Sequence, residues 1–141
     1  MIEGEAPARQ VLPEKTFSLL QKVHPSQTTL EDTPVDREVY GGEMSPKVMD
    51  VLRVISTPGH SSGYLSFCQP ERQLVFCGDV MVRRLGWLPF AAVTVDEDEN
   101  KHSVRKLAGL DTATMCFGHG APLVRNTALR VRDFAKQVGV E

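Results

Sequence analysis

The chain has 141 residues, of which 41% are hydrophobic and 24% charged, with a formal net charge of −2. That length suits one domain with a core of reasonable size, and the near-neutral charge gives no electrostatic reason to expect nucleic acid or an anionic membrane surface as a partner. No stretch approaches membrane-spanning length, and the acidic start Met1-Ile2-Glu3-Gly4-Glu5-Ala6-Pro7 does not read as a signal peptide, so a cytoplasmic location is the expectation. Cys68, Cys77 and Cys116 leave one thiol unpaired under any internal bridge, which argues for reduced, buried, strand-borne cysteines.

In chain order, residues 1–35 read as a flexible lead-in with a short helix. Pro13 and Glu14 with Phe17, Leu20 and Val23 predict that helix over 13–23, and His24-Pro25 ends it. Glu38 to Tyr40 suggests an edge strand and Gly41-Gly42 a turn. The run from Val48 to Ser56 is strongly β-like, with apolar residues at both parities, which predicts burial on both sides. Tyr64 to Cys68 and Gln73 to Cys77 form a hairpin about Pro70, with Cys68 opposite Gln73. Arg83 to Val95 has no clean period and reads as an ordered loop. Its Trp87, Leu88 and Phe90 suit either a substrate pocket or, more commonly, core, while Arg83 and Arg84 suit a solvated pair or an anion contact.

Asp96 followed by Glu99 is a capping-box arrangement, and Val104, Leu107 and Ala108 give an apolar stripe that stops at Gly109. Ala113 to Phe117 is the next strand. Asn126 caps a last helix carrying Val131, Phe134, Ala135 and Val138. The order hairpin, helix, strand, helix predicts a sheet with helices on one face.

Three stretches carry the chemistry. Thr57-Pro58-Gly59-His60-Ser61-Ser62-Gly63, Phe76-Cys77-Gly78-Asp79-Val80 and Cys116-Phe117-Gly118-His119-Gly120 each place a metal-capable side chain beside glycine after an apolar run. Loops leaving buried strands hold ligands on a rigid base, and two histidines with a carboxylate suit zinc or a similar metal. Each motif alone also has a plain reading, as a strand-end turn or a solvated loop histidine. His24, before a proline, and His102, on a charged helix, read as bystanders.

The order and wording of the three motifs resemble the later half of the metallo-β-lactamase-fold hydrolases, which include glyoxalase II-like thioesterases, lactonases and β-lactamases. The resemblance runs from about Asp36 and makes 36–141 the C-terminal half of such a domain. It implies an α+β layered fold of the αββα type, here partial, with one sheet and helices mainly on one face. It implies a metal-dependent hydrolase of ester, thioester or lactone substrates, with a two-metal zinc site, Mn and Fe being alternatives. His60 would bind one ion, His119 the other, and Asp79, the catalytic carboxylate, would bridge both. The family's His-x-His-x-Asp-His motif is absent, so the ligand set is incomplete. Isolated, the chain is expected to bind metal weakly, and its activity alone is in question. A homodimer or a partner chain is expected to cover the exposed sheet face. The rivals are a non-catalytic binding or assembly subunit, and an ordinary α/β domain with coincidental motifs.

Overall fold

A computed structural model of the chain describes residues 37–45 and 51–140. The helix expected over 13–23 and His24 lie outside them. The chain divides between Glu38 and Val39, and the elements below belong to the unit beginning at Val39. They are β1 (Met44–Ser45), β2 (Leu52–Ser56), β3 (Leu65–Gln69), β4 (Leu74–Gly78), α1 (Glu97–Ala108), β5 (Thr114–Phe117) and α2 (Thr127–Gln137). No helix among the described residues is long and apolar enough to cross a membrane.

The strands form one sheet in the order β1-β2-β3-β4-β5. Neighbours are antiparallel except β4 and β5, which run parallel across the α1 connection, as a helical crossover permits. It follows that β2, β4 and β5 all point the same way and end at one rim. Register pairing puts Ser66, Cys68, Val75 and Met115 on one face, all buried. Val104 and Leu107 of α1 and Val131, Phe134 and Ala135 of α2 join Cys68, Val75 and Met115 in one apolar cluster. Both helices therefore cover the same face, as the element order predicted. Burying each of its valine, leucine, methionine and phenylalanine side chains contributes about 1.5–3 kcal/mol. The other face carries Val54, Phe67, Phe76 and Cys116, of which Val54 is buried and the rest partly so.

Several local expectations are corrected. The edge strand lies at Met44–Ser45 rather than at Glu38–Tyr40, because Tyr40 to Glu43 closes a turn in which Glu43 N–H donates to the Tyr40 carbonyl at 3.1 Å. Gly42 N–H donates to the Val54 carbonyl at 2.9 Å and Val54 N–H to the Glu43 carbonyl at 2.8 Å, so that the strand proper runs on from Met44. In β2, Leu52 and Val54 are buried on one face, and on the other Ile55 is partly buried against the core cluster while Arg53 is exposed, so the second face is covered only toward the end of the strand. The hairpin pairs Cys68 with Val75, not with Gln73. Its turn runs from Pro70 to Gln73, where Gln73 takes a left-handed φ of 48° and donates its N–H to the Pro70 carbonyl at 3.0 Å. Buried Gln69 stabilises the turn by accepting the Arg72 N–H on its side-chain oxygen at 2.6 Å. A shift by two residues leaves every side chain on its expected face.

Asp96 caps α1 by accepting the Glu99 N–H at 2.9 Å. The N–H of Asp96 itself goes to the Gly59 carbonyl at 2.9 Å, taking the place of the reciprocal capping-box bond. Asn126 precedes α2 but makes no side-chain cap, since its φ of 53° departs from the extended geometry a cap needs. Thr127 fixes that helix instead, its hydroxyl donating to the Ala113 carbonyl at 2.6 Å. In the 83–95 loop, Arg84 to Trp87 form a tight two-residue turn with Leu85 and Gly86 both at positive φ. Trp87 is 72% exposed and so is not core, whereas Leu88 is buried and Phe90 packs edge-on against Phe134. Arg83 donates to the carbonyls of Ala121 and Pro122, a structural use. Cys68 and Cys77 are free and buried; Cys116 is free but only partly buried.

Candidate metal centre

His60 follows β2, Asp79 follows β4 and His119 follows β5, so the shared direction of these strands delivers all three to one rim. The His60 Nε2 lies 3.8 Å from Asp79 Oδ2, and the His119 Nε2 lies 3.6 Å from the same oxygen. These separations exceed hydrogen-bond range, so the three groups converge without bonding directly to one another through this oxygen. His60 and Asp79 are each 20% exposed, whereas the His119 ring is 77% exposed. His102 is exposed, on the solvated helix face expected of it, and its Nδ1 meets the Asp98 carbonyl within its own helix.

Each loop is held by identifiable contacts. Gly59 has a φ of +128°, and a Cβ there would lie 2.3 Å from the Asn100 nitrogen, so only glycine lets the His60 loop pass this close to α1. Helix α1 and its approach then bind that loop repeatedly. Val95 N–H donates to the His60 carbonyl at 3.3 Å, the Ser103 hydroxyl to the Pro58 carbonyl at 2.6 Å, and Lys106 Nζ to the Ser56 carbonyl at 2.9 Å. Fully buried Asn100 reaches the second loop, donating from Nδ2 to the Val80 carbonyl at 2.8 Å. One helix thus secures both His60 and Asp79.

A bulge separates the β4–β5 pairs Phe76 with Cys116 and Gly78 with Phe117. Bulges redirect the residues that follow them, and here Asp79 follows. Its carboxylate rests against Gly118, where a Cβ would lie 2.2 Å from Oδ1. The His119 loop is tied to the Asp79 side by Arg83, whose N–H donates to the His119 carbonyl at 3.0 Å. Tyr64 supplies a contact that the motifs did not reveal. Its hydroxyl accepts the Asp79 N–H at 2.7 Å, and its ring stands edge-on to His60 at 5.2 Å. Burial, with the nearby Asp79 charge adding to it against the opposing effect of that hydrogen bond, pushes the phenol up, so it stays protonated at neutral pH.

The chemistry of the trio suits a cation, a carboxylate beside two imidazoles being a donor set for zinc or iron, and His60 and Asp79 each also carry a buried atom, Nδ1 and Oδ1, with no hydrogen-bond partner among the described residues. As placed, however, these side chains do not close on an ion: among the described residues no group of three or more His, Cys, Asp or Glu side chains, this trio included, is set to hold a metal.

The family model for the metallo-beta-lactamase superfamily matches residues 6–119. The chain belongs to that superfamily. The match begins well ahead of Asp36, where the motifs place the start of the resemblance, and it ends at His119. Among curated relatives, the hydroxyacylglutathione hydrolase of Brucella ovis is 36% identical over 87 residues, covering 60% of this chain and 32% of that protein. The chain thus spans about a third of the length of the curated relatives it matches. Among solved structures, a metallo-beta-lactamase superfamily protein of Sulfolobus tokodaii, ST1585, aligns with a TM-score of 0.68 at 22% identity, covering 88% of this chain and 48% of that one. The metallo-beta-lactamase FIM-1 of Pseudomonas aeruginosa, solved in a mono-zinc form, aligns with a TM-score of 0.55 at 18% identity, covering 84% of this chain and 54% of that one. The fold is therefore a partial metallo-beta-lactamase α+β fold.

Proposed function

We propose that this superfamily member contributes half of a metal-dependent hydrolytic site acting on thioesters or related acyl compounds. The observation that carries the reading is the approach of both imidazole Nε2 atoms to a single oxygen of Asp79. The similarity to hydroxyacylglutathione hydrolases supports the substrate class, and the mono-zinc form of FIM-1 supports zinc. When bound, zinc would supply a coordinated water whose pKa is lowered from near 16 to about 7, and so a nucleophile at neutral pH. His60, Asp79 and His119 would hold it. Asp79 offers Oδ2 to the shared space while Gly118 backs Oδ1, and His119 is the most exposed of the three to solvent.

Catalytic zinc usually takes three protein ligands. Divided over two ions with Asp79 shared, this trio gives each ion two, so the remainder must come from outside it. That shortfall favours the second reading, a non-catalytic subunit that keeps the fold. Zinc titration of the metal-free full chain by calorimetry tests the site. Binding weaker than micromolar is expected, and Asp79→Ala abolishes it. Unchanged affinity in that variant overturns the assignment, and submicromolar affinity in a demonstrated monomer overturns the incompleteness. Assays with zinc or manganese against thioester, lactone and phosphodiester substrates separate enzyme from subunit.

A further inference from the structure

Tyr64 is the side chain that joins the His60 and Asp79 loops at their functional ends. Its backbone closes the first loop, with the Thr57 N–H donating to the Tyr64 carbonyl at 2.9 Å. Its ring edge meets the His60 imidazole, and its oxygen takes the Asp79 N–H at 2.7 Å. Gly78 is shaped around it. Residue 78 has a φ of +56°, and a Cβ there would fall 2.4 Å from the phenol oxygen, so the residue preceding Asp79 must be glycine for the phenol to reach the amide. An accepting phenol oxygen also answers a need, because a strand-end N–H partly removed from water costs free energy when left unpaired.

We propose that Tyr64 is a positioning residue, its phenol oxygen setting where Asp79 stands relative to His60 and thereby the geometry of the metal-binding pair. The proposal rests on the reading of His60 and Asp79 as ligands. The phenol acts from behind them, as outer partners of metal ligands do, and removal of such partners typically costs about 10–100-fold in metal affinity.

Tyr64→Phe in the full chain keeps the ring edge against His60 and removes only the oxygen. In the metal-free variant, the Asp79 amide and His60 ring resonances are expected to move while amides of α2 stay in place. Co(II) affinity is expected to fall about tenfold or more, with an altered d–d absorption spectrum. Unmoved Asp79 and His60 resonances, or Co(II) bound with wild-type affinity and spectrum, overturn the proposal. Should the variant fail to fold, the wild type decides: a nuclear Overhauser contact between the Asp79 amide proton and the Tyr64 ring supports it, and its absence overturns it. Failure of wild-type protein to bind Co(II) at all would defeat the ligand reading instead, with the metal-free resonances still judging Tyr64.

Discussion

Replacing Gly118 by alanine separates the stability of the fold from the placement of Asp79. The φ of Gly118 is not in the left-handed region, and the nearest contacts of an added Cβ are all atoms of the Asp79 carboxyl group: Oδ1 at 2.2 Å, Cγ at 2.9 Å and Oδ2 at 3.4 Å. Comfortable carbon–oxygen contact begins at about 3.3 Å, so the carboxylate must retreat by about 1 Å. Overpacking of this kind costs about 1–3 kcal/mol, and the stiffer unfolded chain returns about 0.4–1 kcal/mol. The net expectation for Gly118→Ala is a loss of about 1–2 kcal/mol. In an Asp79→Ala background the clash is gone and only the gain remains, so the same substitution should become neutral or slightly stabilising. A double-mutant cycle by urea denaturation of the metal-free protein reads this coupling directly. If Gly118→Ala destabilises equally with and without the Asp79 carboxylate, the cradle described here is wrong.

Three further outcomes follow from Asn100 and the cysteines. Asn100→Ala strands the Val80 carbonyl and should cost about 1–3 kcal/mol, read from the urea midpoint; a change below 0.5 kcal/mol, within the range of ordinary surface substitutions (about ±0.5 kcal/mol), would show that α1 does not depend on that bond. Burial pushes the Cys77 thiol up to about 12, and raises that of Cys68 as well. A raised thiol pKa stabilises the fold below the unfolded value near 9 and is lost as pH rises toward the folded value, so stability should decline above pH 9. At pH 8 the native chain should expose only Cys116 to a thiol reagent; rapid reaction of all three would contradict the packing.

Much of this was legible in the residues. Glycine beside a metal-capable side chain after each apolar run marked His60, Asp79 and His119, and strand polarity did the rest by bringing them to one rim. Tyr64 was hidden because an aromatic at the start of a strand looks like ordinary packing, and nothing local announces a bond to a residue fifteen positions away. Asn100 left a faint signal. It falls in phase with Ser103, Val104 and Leu107 on the buried side of α1, but its charged neighbours make that stretch look solvated. The hairpin register shifted because Gln73, with no glycine, adopted the left-handed position, a choice set by Gln69 and by the neighbouring connection rather than by turn composition.

The common polarity of β2, β4 and β5 divides the labour between the two ends of the sheet. A five-residue strand such as β4 puts about 16 Å between its ends, and the far end is where the Pro70–Gln73 turn meets the connection into β5 through the bonds of Ala113 and Thr114 to the Gln73 carbonyl. Extra residues or a fluorophore grafted into that turn would sit a full strand length from the imidazoles, leaving an engineering handle whose alteration the chemistry would not feel.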